Sequence, residues 1–157
     1  EWKTMEDLAS TARVDVQAHG FMHNGSTYIV PETPKATVLR EIYAPMPLLK
    51  DHFGAYPSAF VWPGGDFTKP SIEIARQAGY RLGFTAYARG PLMFNWIPLG
   101  VEERAAGDPL MVLPRFWSTA AYINLDEAVA IASQAQAFAE AQKATEMAWY
   151  VQHCNKD

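Results

Sequence analysis

The chain has 157 residues, of which 49% are apolar and 13% aromatic. A chain of this length and composition can bury a hydrophobic core, which excludes an intrinsically disordered protein. The formal net charge is −4 and the basic residues form no stripe, which argues against nucleic acid or an anionic membrane as the partner. A single cysteine excludes an internal disulfide, and no apolar run approaches the roughly 20 residues of a membrane span.

The chain begins with patterns for a helix, a strand and a loop, over residues 4–12, 14–18 and 24–35. A second helical pattern covers residues 38–53. Pro45 and Pro47 predict a break or kink in it, because proline lacks the backbone N–H that an α-helix uses. Gly54 fits the end of this helix.

The middle of the chain predicts a strand, a turn, a helix and a strand, over residues 58–62, 63–66, 68–79 and 80–85. Thr68 supplies the hydroxyl group of an N-cap, and Pro70 fits the first helical turn. Gly79 fits the end of the helix.

The remainder predicts a long surface connection, a strand interrupted by proline, a helix and a final strand. The connection covers residues 86–109, the first strand 110–116 and the final strand 147–152. Asn124 is a good N-cap for the helix, with Glu127 three residues later. Alternating helices and strands are typical of an α/β domain with a mainly parallel sheet, and we interpret residues 1–157 as one such domain.

Four segments with side chains or turns suited to chemistry follow predicted strands directly. They are His19, Pro63–Gly65, Trp117 and His153. In α/β folds, ligand sites gather at the carboxyl ends of the strands. The spacing alone therefore predicts a site at this edge of the sheet.

The pair His19 and His23 is the most informative motif in the chain. The spacing H-x-x-x-H lets both imidazoles reach one ion, and neutral imidazole is the commonest side-chain ligand for zinc. The alternative is a pair of incidental surface histidines.

The chain resembles the polysaccharide deacetylases with NodB homology (carbohydrate esterase family 4). Residues 14–23, VDVQAHGFMH, are similar to the segment around that family's H-[ST]-x-x-H metal motif. Residues 60–65, FVWPGG, followed by a helix and then Ala-Gly-Tyr at 78–80, resemble the family's Pro-Tyr-Gly turn and its A-G-Y. Residues 151–153, VQH, resemble its terminal L-x-H motif.

The chain also departs from this family pattern. The T-F-D-D-G motif, whose aspartates supply the catalytic base and the third zinc ligand, has no counterpart, since no Asp-Asp pair occurs. We expect a partial or processed polypeptide, with that motif either upstream of Glu1 or never present. Gly20 replaces the usual Ser or Thr, Val61 stands where many members have Arg, and Gly64 stands where they have Tyr.

The resemblance implies a role for each candidate residue. His19 and His23 hold Zn²⁺ or another divalent transition metal. A backbone N–H of Gly64 binds the developing oxyanion, and His153 protonates the leaving amine as general acid. The predicted substrate-binding residues are Trp62, Gly65, Asp66 and Trp117, the tryptophans because aromatic faces stack on the apolar face of a sugar ring. The tryptophans have an alternative as core residues, and Arg115 faces either the pocket or solvent.

The resemblance implies a distorted (β/α) barrel-like fold that is incomplete at its N-terminal strand. It implies a metal-dependent hydrolase that removes acetyl groups from an N-acetylated polysaccharide, in an extracytoplasmic location. One alternative is a catalytically inactive glycan-binding domain, and another is an α/β domain with incidental histidines. We expect a glycan as the partner, and an additional segment or chain beside Val14–Ala18, because an open strand edge exposes unpaired backbone groups.

Overall fold

The structure is a computed structural model that describes residues 1–23, 29–87, 100–116 and 118–154. The described residues fall into two compact units. The first contains the described residues up to Phe116, and the second contains those from Ser118 onward. The first unit combines helices with a parallel pair of strands, as predicted for an α/β chain, and no closed barrel is present among the described residues.

The first three helices are α1 (Trp2–Ser10), α2 (Lys35–Tyr43) and α3 (Pro45–Phe53). The predicted interruption is confirmed, because α3 begins at Pro45 and only Ala44 separates it from α2. Proline is tolerated there because the first-turn N–H groups have no partner within a helix. The predicted end is confirmed too: Gly54 has φ +78° and donates its N–H to the carbonyl of Lys50 at 2.8 Å.

Strands β1 (Ala59–Val61) and β2 (Leu82–Phe84) run parallel, with Phe60 opposite Gly83. The crossover between them contains a 3₁₀ turn at Pro63–Gly65 and helix α4 (Lys69–Ala78). Two single parallel bridges extend this pair, one from Ala18 to Phe60 and one from Phe84 to Leu113. The predicted strand over 14–18 is therefore reduced to a bridge at its last residue.

Helix α4 forms as its sequence predicts. The Thr68 hydroxyl accepts from the N–H of Ser71 at 3.2 Å, and the Ser71 hydroxyl accepts from the N–H of Thr68 at 2.8 Å. These reciprocal bonds form a capping box that satisfies N–H groups at the helix start. Gly79, with φ +105°, ends the helix.

The core of the first unit is built on buried aromatic residues. The Phe60 ring centroid lies 4.9 Å from that of Trp62 and 5.2 Å from that of Tyr80. The polar atoms of the two amphipathic rings both have hydrogen-bond partners. Trp62 Nε1 donates to Met111 O at 2.7 Å, and Tyr80 Oη donates to Ile42 O at 2.9 Å. Burial raises the pKa of Tyr80, so its hydroxyl stays a donor.

The segment after β2 differs from prediction. Helix α5 (Val101–Ala106) lies in the predicted connection, and residues 88–99 lie outside the described part of the chain. The predicted strand over 110–116 is wrong except at the Leu113 bridge, because a 3₁₀ turn at Pro109–Met111 occupies its start. Proline at the start of this turn has no N–H to give to a strand ladder.

The second unit contains α6 (Ser118–Ala121), a 3₁₀ turn at Tyr122–Asn124 and the 29-residue helix α7 (Leu125–His153). The predicted helix start after Asn124 is confirmed, although the Asn124 side chain donates to Ala120 O instead of capping α7. The predicted strand over 147–152 is wrong, because those residues continue α7. None of the helices in the described part of the chain is long and apolar enough to cross a membrane.

The ion pair between Arg76 and Asp108 should contribute to the loss of stability in acid. Arg76 Nε and Nη2 donate to the two carboxylate oxygens of Asp108 at 2.6 and 2.8 Å. The hydrogen bond from Arg76 lowers the pKa of Asp108, so its stabilising effect is present above the ordinary aspartate pKa and is lost as pH falls through the lowered value.

We expect Asp108→Asn to lower the free energy of unfolding by about 1 kcal/mol at pH 7, because both groups are partly exposed. Below about pH 4, the variant should lose stability less steeply than the wild type. Urea unfolding at several pH values measures this. Asp7→Asn, which removes the exposed pair with Lys3, is the control, and equal acid slopes for wild type and Asp108→Asn would refute the assignment.

Candidate active site

His19 lies where the short bridge to β1 ends. Ala18 N donates to Ala59 O at 3.3 Å, and Ala18 O accepts from Val61 N at 2.7 Å, which fixes the backbone next to the histidine. His19 Nδ1 lies 2.8 Å from Val61 O. Because a carbonyl only accepts, Nδ1 carries the proton and the Nε2 lone pair is left for a ligand.

The surroundings of His19 favour the neutral imidazole. Burial lowers the pKa of His19, and the hydrogen bond to the Val61 carbonyl opposes this effect. The charges of His23 and Arg115 lower the pKa further. A neutral ring with a fixed tautomer is the form that binds a metal.

His23 lies against His19, as the spacing of the pair suggested. The two ring centroids are 4.5 Å apart with an interplanar angle of 62°. The His23 backbone has φ +33°, a region that residues other than glycine rarely adopt. Strained backbone persists where the surrounding structure enforces it and clusters at functional sites.

Glu41 is a site residue that sequence reasoning missed. It lies on α2 with 1% of its surface exposed, and its carboxylate accepts backbone N–H groups from the loop between the two histidines. Phe21 N lies 2.7 Å from Oε2, and Met22 N lies 3.2 Å from both oxygens.

The 3₁₀ turn follows β1 beside the same loop. A Cβ on Gly20 would lie 3.1 Å from Pro63 Cγ, which places the turn next to the histidine segment. Gly64 and Gly65 have φ values of +65° and +89°. Gly65 N donates to Trp62 O at 2.9 Å, whereas the N–H of Gly64 has no acceptor among the described residues. Of the two, Gly64 is therefore the donor available to a ligand.

Asp66 lines a cavity of about 350 Å³ immediately after this turn. Its side chain has no hydrogen-bond or ion-pair partner in the described ranges. Phe67 and Tyr87 contribute aromatic surface to the same cavity, and Glu102 contributes a second carboxylate. Burial raises the pKa of Tyr87, and the charges of Glu102 and Asp66 add to this effect.

Trp62, predicted to bind substrate, belongs to the core instead. Its side chain is fully buried and its indole N–H is taken by Met111 O, so no ring face is left for a sugar. Trp117, with the same predicted role, lies outside the described residues. Arg115, which the sequence left open, is half-buried and close enough to His19 to lower its pKa.

His153 is the last residue of α7 in the second unit. Its Nδ1 lies 2.8 Å from Trp149 O, and its ring stacks on the Trp149 ring with centroids 4.5 Å apart. The side chain is exposed. Its role as general acid stays a prediction.

Among the described residues, no group of three or more His, Cys, Asp or Glu side chains is placed to hold a metal. The two histidines nevertheless fit part of such a site, because His19 presents a free Nε2 next to the His23 ring. They are the chain's own candidate ligands.

The sequence model of one family, described as polysaccharide deacetylase, matches residues 1–83, more than half of the chain. The chain belongs to the polysaccharide deacetylase family. The match covers both histidines, Glu41, the glycine turn and Asp66, whereas Tyr87, Glu102, Arg115 and His153 lie beyond it. No curated protein matches the chain.

Two solved structures are similar to this polysaccharide deacetylase domain. One is the Streptococcus pyogenes deacetylase PplD in complex with acetate, with a TM-score of 0.54 and 18% identity over 73% of this chain and 43% of that one. The other is a de-N-acetylase from Aggregatibacter actinomycetemcomitans, with a TM-score of 0.49 and 17% identity over 73% of this chain and 47% of that one. The chain thus spans less than half the length of either protein. At this identity, the likeness to PplD shows the fold alone.

Proposed function

We propose that the domain containing this chain removes acetyl groups from an N-acetylated polysaccharide, using Zn²⁺ or another divalent transition metal. The observation that carries the proposal is the pairing of His19 and His23 beside a glycine turn, with the His19 Nε2 lone pair left free by the bond from Nδ1 to Val61 O. Membership of the deacetylase family supports it.

His19 and His23 would hold the metal, which when bound supplies a Lewis acid and a water of lowered pKa. The Val61 carbonyl orients the His19 ring and fixes its tautomer. Burial keeps this ring neutral, because it disfavours the protonated form that cannot bind a metal. A third ligand would come from a carboxylate outside the described residues, as the family pattern implies.

The N–H of Gly64 is the proposed donor to the acetyl oxygen as negative charge develops on it. A backbone donor that is already fixed by a turn stabilises this charge without reorganising, and the loss of one such donor lowers the rate by about 10²–10³. Gly65 holds the turn through its bond to Trp62 O. His153 is proposed to protonate the leaving amine.

The cavity at Asp66 is the proposed seat of a sugar ring next to the scissile acetamide. Its volume of about 350 Å³ is within the range of small-ligand pockets. Phe67 and Tyr87 offer apolar surface to a pyranose, and Asp66 offers an acceptor to its hydroxyl groups.

We also propose the barrel-like arrangement for the complete domain. Four segments lie side by side in sequence order and run parallel, as successive strands of a (β/α) barrel do. They are Ala18, β1, β2 and Leu113. An additional segment or chain is proposed to pair beside residues 14–18, and an extracytoplasmic location is proposed from the family setting.

Acetate release from chitin oligosaccharides with and without added Zn²⁺ tests the proposed activity. We expect metal-dependent release from the complete domain that contains this chain, and glycan binding without acetate release would instead identify an inactive binding domain. A metal chelator should abolish the activity. Full activity after chelation would refute the metal-dependent mechanism.

We expect Asp66→Asn to raise the KM for the oligosaccharide about 10-fold, because a hydrogen bond to a charged group contributes about 1.5–3 kcal/mol. Steady-state kinetics measure this, with kcat expected to change less than KM. Asp51→Asn, at an exposed carboxylate on α3, is the matched control. An unchanged KM for Asp66→Asn would remove this cavity from the substrate site.

A further inference from the structure

Glu41 is buried in the first unit, and among the described residues its hydrogen-bond partners are backbone groups rather than side chains. It is 1% exposed, and its bonds go to two consecutive backbone N–H groups, those of Phe21 and Met22. Both carboxylate oxygens take part, with the shortest distance 2.7 Å between Oε2 and Phe21 N. These two donors lie inside the four-residue spacing that separates His19 from His23.

The loop is shaped around this carboxylate. Gly20 has φ +79°, and a Cβ at this position would lie 2.6 Å from Glu41 Oε2. A left-handed residue followed by successive N–H groups that point the same way forms a concave anion site in the backbone. Glu41 fills that site from within the protein, so no exogenous anion is needed there.

Helix α2 anchors the carboxylate firmly. Val38 and Ile42 lie on the same buried face as Glu41 and belong to the hydrophobic core. A buried carboxylate that lost its N–H partners would be left without compensation, which is strongly unfavourable. The histidine loop therefore cannot shift away from α2 at low cost.

We propose that Glu41 is a positioning residue that holds His19 and His23 in the geometry that binds the metal. This inference rests on the proposed function, because it assumes that the pair binds a metal. Glu41 does not coordinate the ion; it acts through the backbone of Phe21 and Met22 on the strained His23, whose φ is +33°. Because Glu41 fixes the backbone of Phe21 and Met22, the loop holds the adjacent His23 in its strained conformation.

Titration of the complete domain that contains this chain with Co²⁺ tests this, because the d–d absorption band reports ligand geometry and its rise gives the affinity. Glu41→Gln is the sharpest variant. The amide preserves shape, but its NH₂ group replaces one of the two acceptor oxygens and faces a backbone N–H. We expect Co²⁺ affinity to fall about 10–100-fold, with a changed d–d spectrum, as for other groups that orient metal ligands.

Glu103→Gln is the matched control. Glu103 is also a buried glutamate, 3% exposed, and it accepts the backbone N–H of Gly100 at 3.1 Å. It lies on α5, away from the histidine loop in sequence, so its variant should lose stability without losing Co²⁺ affinity. A second measurement needs no variant: Co²⁺ should slow amide exchange at Phe21 and Met22 in the wild type, because the metal and Glu41 stabilise the same loop.

Weaker Co²⁺ binding by Glu41→Gln, with Glu103→Gln unchanged, supports the inference. Equal Co²⁺ affinity and spectra for Glu41→Gln and wild type would overturn it and leave the metal site intact. If Glu41→Gln fails to fold, unaltered exchange at Phe21 and Met22 in the Co²⁺-loaded wild type would overturn it. A complete wild-type domain that binds no Co²⁺ would overturn the proposed function as well.

Discussion

Replacing His19 with glutamine is expected to abolish Zn²⁺ binding and with it the deacetylation of chitin oligosaccharides. Glutamine is polar and similar in length to histidine, so the fold should survive, but it has no ring nitrogen to bind the ion. Loss of a group that merely orients a ligand costs about 10–100-fold in metal affinity. Loss of a ligand itself should cost more than about 100-fold, measured by calorimetric titration with Zn²⁺.

His23→Gln should have the same effect, because both rings are proposed ligands and their centroids lie 4.5 Å apart. His52→Gln is the control. His52 pairs with Glu6 at 2.7 Å and stacks on Trp2, and it belongs to α3 and not to the histidine loop. Its removal should leave Zn²⁺ affinity and activity unchanged. If either His19→Gln or His23→Gln bound Zn²⁺ as tightly as the wild type, the metal assignment would be wrong.

Local signals in the sequence located the elements around the site. Pro45, Thr68 and the glycines at 54 and 79 mark helix ends through backbone chemistry that acts within a few residues. The strands at 59–61 and 82–84 follow from short apolar runs between turns. These features depend on near neighbours in the chain, which is why they are predictable.

The final segment shows where local signals fail. Residues 147–152 are apolar and rich in residues that favour strands, but α7 continues through them. A helix that is already nucleated adds each further residue at little cost, so an alanine-rich helix extends through a short run of this kind. A short apolar run cannot be assigned to a strand or a helix from its own sequence.

The candidate site was partly predictable. The spacing of His19 and His23 and the glycine turn are sequence patterns, whereas the burial of Trp62 depends on packing against the distant Met111. The sequence does carry a signal for Glu41: it is three residues after Val38 and next to Ile42, which places a carboxylate on the apolar face of α2. A charged side chain on a buried helix face needs hydrogen-bond partners, so this pattern indicates a residue that holds another part of the chain.

Gly65→Ala is expected to unfold the glycine turn and remove most of the activity. The backbone has φ +89°, and an alanine Cβ would lie 2.6 Å from both the N and the Cβ of Ala86. The left-handed conformation costs alanine about 1 kcal/mol, and overpacking adds about 1–3 kcal/mol. We expect a loss of about 3 kcal/mol in the free energy of unfolding, because backbone atoms of Ala86 cannot rotate aside as a long side chain can.

Gly65→Ala should also displace the N–H of Gly64, so that kcat falls by about 10²–10³. Steady-state kinetics measure this fall, and urea unfolding measures the loss of stability separately. Gly54→Ala separates the cost of the left-handed backbone from the cost of the contact with Ala86. Gly54 has φ +78°, close to that of Gly65, but nothing lies within 4 Å of an added Cβ. It should lose only about 1 kcal/mol and keep full activity. If both alanine variants lost equal stability and both remained active, contact with Ala86 would not position the turn, and Gly64 would lose its assignment as oxyanion donor.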